Sequence, residues 1–587
     1  MMENEENKMT EKKLTGYPSI DKPWLKYYTE EAIQAPLPTE SLYTYMYNKN
    51  RDHLSETAMT YFGRKISFGQ MFDQIDLVAR AFRAQGVKPG DVCTIVTVSC
   101  VTSVLCQYAL NKIGAVSNYI NVLSSQEDLE AYFKDADSRI VVTLDLFAEK
   151  VITAAKQTGV ERVVSYSLGE WMPPVTKFGF QMKMRKMDKS WVLDSIVMQW
   201  NDFLASAEGQ PDFTYEKDCN SVCCLAHTGG TTGFPKTVLI SDQAMNILAQ
   251  QYDNTIIHKR QQVLLSVMIP FVIYGNLTNI HMPLCLGLNT VLIPKFEADQ
   301  WPSYIRKYRP NHIAAIPPYV AAMLDNEKLA KEDLSCLITV GLGGDGMNTA
   351  LENKLNIFLA AHNSSAKVVK GYGMTEVCAS WSSCNNYHNK VGSVGFPFPT
   401  NNVMIYDNHA QNELGYSEVG EICLQSASRM IGYKDNEEEM RNLIRIHPDG
   451  SEWIHSGDLG YVDEDGFLFL VGRMKRIILT SSDGVTYKVY PNIPEEVLVR
   501  HAAVHSVCIV GEKKDNDLVL RAHVILNPEM QTQKDTVEQE LRKLCEEQLS
   551  DYSRPYYYTF RETFPRTAAG KVDYRALERE AQREMEN

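Results

Sequence analysis

The chain holds 587 residues, of which 44% are hydrophobic and 22% charged, a globular balance with apolar material for roughly two to four domains. A net charge of −14 and a pI of about 5.5 argue against bulk electrostatic binding of nucleic acid. The thirteen cysteines are scattered without any CxxC pair, which argues against a zinc site or a disulfide framework and for free thiols in a reducing compartment.

Residues 1–40 read as an N-terminal extension. Met1 to Gly16 is polar and mixed in charge, without the apolar stretch of a signal peptide, so a cytoplasmic location is expected. Asp91–Ser99 (DVCTIVTVS) predicts a buried strand and Val101–Ala115 a helix. Arg139–Leu144 and Leu146–Thr158 repeat the pair. Such alternation predicts an α/β fold with largely parallel strands. Lys177–Lys189 (KFGFQMKMRKMDK) is basic and rich in Met. It reads either as a solvated surface segment or as a patch that meets a membrane surface and holds the chain at its periphery.

Ser221–Ala226 (SVCCLA) predicts a strand that runs into the loop His227–Lys236 (HTGGTTGFPK). Thr237–Ile240 is again β-favouring, and Ser241 is placed to cap a helix over Asp242–Gln251. Gly229, Gly230 and Gly233 let the backbone approach a phosphate and present its N–H groups, while Thr228, Thr231 and Thr232 add hydroxyls and Lys236 a positive charge. It is not a Walker loop, because Pro235 stands where that motif has glycine and a strand follows in place of a helix. Gln261–Pro294 contains no Asp, Glu, Lys or Arg, but Pro270, Gly275, Asn276, Asn279, His281, Pro283, Gly287 and Asn289 interrupt it. Buried strands and a loop are expected there, not a membrane span.

From residue 476 onward the pattern becomes that of a small α+β domain. Pro494–Arg500 begins a helix, Val504–Val510 and Leu518–Leu526 predict strands, Thr536–Leu549 an amphipathic helix and Tyr556–Phe560 a strand. The boundary falls at Gly472–Lys475. The expected architecture is a large N-terminal α/β domain of layered sheets and helices (41–472), a hinge (473–475) and a small, mobile C-terminal domain (476–587).

The Thr228–Lys236 loop resembles the signature of the adenylate-forming superfamily, which contains acyl- and aryl-CoA synthetases, adenylation domains and firefly-type luciferases. Gly229 replaces the usual Ser and Thr237 the usual final Gly. Further motifs follow in the same order along nearly the whole chain. Gly371-Tyr-Gly-Met-Thr-Glu376 resembles YGxTE. The resemblance implies that Gly371, Tyr372, Gly373 and Met374 belong to the ATP site, that Tyr372 flanks the adenine, that Thr375 meets the α-phosphate or the acyl carbonyl, and that Glu376 holds Mg²⁺. Ser456-Gly-Asp458 and Arg473 are similar to the pair that holds the ribose, and Lys475 to the hinge residue. Pro565–Lys571 (PRTAAGK) resembles PxTxxGK, which implies that Lys571 is the catalytic lysine of adenylation.

Gly343-Gly-Asp-Gly346 partly resembles the family's SGGAP segment, which implies a wall of the adenine and acyl pockets, with Gly343 on the acyl side and Gly344 and Asp345 on the adenine side. Phe271-Val-Ile-Tyr-Gly275 is similar to the FHxxG segment of the acyl pocket, so Phe271, Val272 and Gly275 are acyl-pocket candidates. Val272 cannot pair with an ammonium, which disfavours an amino acid, although it also reads as plain core packing. Glu170–Phe203 lengthens the large domain as in long-chain acyl-CoA ligases and leans the reading towards a fatty acid. Gly484 is the candidate for the thiol tunnel.

The resemblance thus implies ATP, Mg²⁺ and coenzyme A as reactants, a small carboxylic acid as substrate and acyl-adenylate as intermediate. A carrier-protein phosphopantetheine is the alternative acceptor. A luciferase-like oxygenase and a non-catalytic nucleotide- or lipid-binding scaffold are the alternatives from other classes.

Overall fold

Apolar runs that alternate with helices fold into parallel β-α-β units, as at Val92–Thr97, Val101–Lys112 and Val116–Asn121. The structure is a computed structural model that describes residues 14–187, 189–228, 235–482, 485–514, 517–566 and 572–586. Every residue of the Val101–Lys112 helix is buried, which marks it as an interior helix and not a surface one.

Among the described residues, two large mixed sheets carry the big domain. The first has eight strands and runs from Gly432–Tyr433 through Thr237–Ser241, Val222–His227, Val116–Asn121 and Val92–Thr97 to Val197–Gln199. The second has nine. Its parallel centre is Lys367–Tyr372, Thr339–Leu342, His312–Ala315, Val263–Ser266, Asn289–Leu292 and Thr57–Tyr61, in that spatial order. A third, antiparallel sheet contains Gly420–Gln425 and Glu452–Val462, with Leu468–Arg473 paired along the latter. The C-terminal part is a hairpin (Ile478–Ser482 with Val485–Val489) and a three-stranded sheet (Val504–Lys514, Asp517–Leu526, Tyr557–Arg561) packed with helices Asn492–Val499 and Lys534–Gln548. This is the α/β-plus-small-domain architecture expected from the sequence.

The uncharged stretch 261–294 departs from its reading. Between the strands Val263–Ser266 and Asn289–Leu292 lies a buried helical segment, Ile273–Cys285, whose middle, Leu277–His281, widens to a π turn. The residues read as loop formers are its internal polar ties. Asn276 and Gln107 exchange two side-chain hydrogen bonds of 2.9 and 3.0 Å. Asn279 accepts from the Val267 amide at 3.0 Å and donates to the Ala314 carbonyl at 3.2 Å. His281 sits 3.0 Å from both the Tyr108 hydroxyl and Asn246. Because each polar group has a partner, the helix can be buried without the cost of orphaned amides.

Among the described residues, no helix is long and apolar enough to cross a membrane. All cysteines are free, and all but Cys336 are buried. The basic stretch 177–189 starts inside the helix Pro174–Met184, which buries none of its side chains. Val175, Phe178 and Met182 share its outer face and are exposed.

Candidate active site

The strands Val222–His227 and Thr237–Ser241 pair antiparallel and hold the glycine-rich loop at its two ends. The Thr228 amide donates to the Lys236 carbonyl at 3.0 Å, and the Lys236 amide donates to the Thr228 hydroxyl at 3.1 Å. Ser241 caps the following helix, Asp242–Asp253, by accepting from the Ala244 amide. Gly229, Gly230, Thr231, Thr232 and Gly233 lie outside the described residues, as do Gly484 and Lys571.

At the end of the loop the Lys236 ammonium is 2.8 Å from Glu439, 3.2 Å from the Tyr433 hydroxyl and 4.3 Å from the centre of the Tyr433 ring. The Tyr433 hydroxyl in turn donates to Glu376 at 2.6 Å. Burial and the neighbouring Glu376 push the Tyr433 phenol far above its ordinary value, so it stays a donor. The Lys236 ammonium holds the Glu439 carboxyl below the usual range. Glu376 is buried on a short turn, Thr375–Val377, beyond the strand Lys367–Tyr372. That strand reverses so tightly that a Cβ on Gly373 would lie 1.9 Å from the Ala379 carbonyl oxygen. Only glycine fits there.

Asp458 and Arg473 face one another across the pair of antiparallel strands, with Arg473 Nε 2.9 Å from Asp458 Oδ1. The Tyr372 hydroxyl donates to Asp458 Oδ2 at 2.7 Å. Asp458 raises the pKa of the Arg473 guanidinium, while burial first and Asp458 second push the Tyr372 phenol well up. Behind them Glu421 accepts from the Gly457 amide at 3.0 Å and lies 2.8 Å from His455 Nδ1, which fixes the turn that aims Asp458.

A narrow, mostly apolar cavity adjoins these groups at Tyr372. Gly343, Gly344, Gly371, Tyr372 and Gly373 line one end of it, and Leu264, His312 and Thr339 the other. Tyr252 at the end of the helix Asp242–Asp253, Ile256 just beyond it, and Tyr274, Thr278 and Met282 from the segment Ile273–Cys285 line it as well. A Cβ on Gly343 would meet the Tyr274 ring at 3.0 Å. Gly344 has φ +78° and is exposed, as is Asp345, which accepts from the Gly346 amide.

The Gly371–Glu376 segment thus joins two groups of side chains, Asp458 and Arg473 through Tyr372 and Lys236 through Glu376 and Tyr433, with Met374 and Thr375 half-buried. Phe271 and Val272 are half-buried and do not line the cavity. Gly275 does not line it either. Its bare Cα admits the Ile269 carbonyl, 2.3 Å from where a Cβ would sit. That segment reaches the cavity through Tyr274. Lys475 is exposed on the turn Met474–Arg476. No sequence motif marks Tyr433 or Glu439. The one local signal is the acidic helix start Glu437–Glu439 capped by Asn436.

Two family profiles match the chain, AMP-binding enzyme over residues 47–434 and AMP-binding enzyme C-terminal domain over 494–571. The chain belongs to the AMP-binding enzyme family. This places it in the adenylate-forming superfamily that its motifs resemble. A long-chain-fatty-acid–CoA ligase of Bacillus subtilis is 27% identical over 95% of this chain and 97% of its own length. The 4-coumarate-CoA ligase 1 of Narcissus pseudonarcissus is 27% identical over 83% of each chain. The crystal structure of the anthranilate CoA ligase AuaEII in complex with anthranoyl-AMP superposes with a TM-score of 0.80 at 21% identity, over 95% of this chain and all of that one. The amide bond synthetase McbA of Marinactinospora thermotolerans gives 0.74 at 22%, over 92% of this chain and all of its own. At those identities the two structures establish the shared fold of this AMP-binding enzyme.

Proposed function

We propose that this AMP-binding enzyme adenylates an apolar carboxylic acid and passes the acyl group to the thiol of coenzyme A, releasing AMP and pyrophosphate. The observation that carries the reading is Tyr372, which lines the acid cavity while its hydroxyl reaches Asp458, the candidate ribose ligand. One side chain thus belongs to both substrates' sites. The relatives named for long-chain fatty acids and for 4-coumarate agree with an apolar acid and with coenzyme A as acceptor.

In the first step an acid oxygen bonds to the α-phosphorus of ATP and the bond to pyrophosphate breaks. Lys236 and the Thr228–Lys236 loop hold the phosphates, Asp458 and Arg473 the ribose, and Lys571 the charge that builds on the α-phosphate. Glu376, a buried carboxylate beside Lys236 through Tyr433, suits Mg²⁺, a cation that prefers oxygen donors. Bound there, Mg²⁺ would supply positive charge against the departing pyrophosphate. In the second step the thiol sulfur bonds to the acyl carbon and AMP leaves. The small domain exchanges its faces between the steps by rotation about Lys475, where the third sheet has ended at Arg473 and the small-domain hairpin has not yet begun.

The test is a screen of pyrophosphate release over short, medium, long-chain and aryl acids, each with and without coenzyme A. Acid-dependent release with AMP and an acyl-CoA product is expected. A carrier protein that replaces coenzyme A, or silence with every acid, refutes the reading.

The exposed helix Pro174–Met184 extends this reading to the site of work. Its bare Val175, Phe178 and Met182, beside Lys177, Lys183, Arg185 and Lys186, complement an anionic bilayer surface. Sedimentation with anionic liposomes is expected to fall when Lys183, Arg185 and Lys186 are replaced by Gln. Binding equal to that of the unsubstituted chain would remove the helix from this role.

A further inference from the structure

The far end of the acid cavity is not apolar. His312 and Thr339 are register partners on adjacent parallel strands, so their side chains stand on one face of the sheet. Both line the cavity, and they are buried at 2% and 7% exposure. His312 Nδ1 and the Thr339 hydroxyl have no hydrogen-bond partner among the described residues. The other hydroxyls of the wall are satisfied, Tyr252 by Ser380, Thr278 by the Tyr274 carbonyl and Tyr372 by Asp458. Two adjacent orphans at one end of a cavity otherwise in order point to a ligand group, since an unmet buried polar atom is costly.

The tautomer follows from the surroundings. Gln262 Oε1 accepts from the Lys259 amide at 2.8 Å, which identifies it as the oxygen, and the same atom lies 3.0 Å from His312 Nε2. Nε2 therefore carries the proton. Burial pushes the His312 pKa down to about 4, with His258 acting in the same direction, so the ring is neutral and Nδ1 offers a bare lone pair. The complementary group must donate to Nδ1 and can accept from Thr339. A hydroxyl does both. A second carboxylate cannot, because it has no proton to give and would be buried as an anion. The span from Gly343 to Thr339 is four strand residues, ~13 Å, which suits an aryl acid or a medium-length chain.

We infer that the acid taken by this cavity carries a hydroxyl at the end remote from its carboxylate, held by His312 Nδ1 and the Thr339 hydroxyl. The inference rests on the proposed ligase reading and narrows its substrate from an apolar acid to one with a polar tip.

The experiment compares cinnamic with para-hydroxycinnamic acid and decanoic with ω-hydroxydecanoic acid. It reads kcat/KM for CoA-thioester formation and, separately, equilibrium binding of the matching non-hydrolysable acyl-sulfamoyl adenosines. The hydroxylated member of a pair is expected to be favoured roughly ten- to hundredfold in both. Thr339→Val, near-isosteric, and His312→Leu should each collapse the ratio within a pair towards one, the plain and hydroxylated members being measured on the same variant. Equal or better binding of both plain analogues overturns the inference, whatever the turnover. Preferential binding without turnover of any acid leaves the inference standing and refutes the ligase reading.

Discussion

Lys571→Ala is expected to lower ATP–pyrophosphate exchange by about 10²–10³-fold, the loss that follows removal of one well-placed charge-stabilising group from a transition state. In the proposed mechanism the ammonium acts only while negative charge builds around the α-phosphorus, so the loss should fall on kcat of the first step. Thiolysis of supplied acyl-adenylate needs no such charge and should proceed near the wild-type rate. The two half-reactions measured separately on one protein decide the matter. Exchange that survives the substitution would take Lys571 out of the adenylation step.

Glu376→Gln is the second large effect. Glutamine keeps the shape and can still accept from the Tyr433 hydroxyl, which now donates to Glu376 at 2.6 Å, so the fold is expected to hold. What goes is the negative charge. Exchange should fall by roughly 10²–10³-fold at ordinary Mg²⁺, in line with loss of a metal's carboxylate ligand or of its charge stabilisation, and should partly recover as Mg²⁺ is raised. Tyr433→Phe provides the contrast, because it cuts the link between Lys236 and Glu376 while keeping both charges, and a smaller loss is expected. A Glu376→Gln enzyme with wild-type Mg²⁺ dependence would refute the metal role.

Much of this site was legible in the sequence because its parts are local. The hairpin around Thr228–Lys236 is set by two β-favouring runs, and its closing bonds join residues eight apart in sequence. The return of the chain at Gly371–Glu376 needs glycine where the Ala379 carbonyl presses in, and glycines are visible in a sequence. Asp458 and Arg473 are close because they sit on neighbouring strands of one antiparallel pair.

The remainder depends on register between distant segments. Tyr433 reaches Lys236 across 197 positions, and no pattern near either residue encodes that meeting. His312 and Thr339 become neighbours only through the alignment of two parallel strands. The helix Ile273–Cys285 does not show in the sequence because Asn276, Asn279 and His281 are helix-weak when judged alone. Their partners Gln107, Ala314 and Tyr108 supply what the local sequence lacks. Val272 has a visible place in a motif, whereas the cavity wall passes through Tyr274.

The bonds of Tyr433 carry one more consequence. Its strand is an edge of the eight-stranded sheet, while Glu376 follows the strand Lys367–Tyr372 of the nine-stranded one. The hydroxyl that joins them spans a seam between two separately built layers, and the proposed nucleotide site lies along that seam. Bound there, ATP would act as a clasp as well as a reactant. Whatever it gains by gripping both layers is added to their cohesion, about 2.7 kcal/mol when ATP stands a hundredfold above its dissociation constant. The empty enzyme would then be easier to part along that line, and the layers tightest during the proposed activation of the acid.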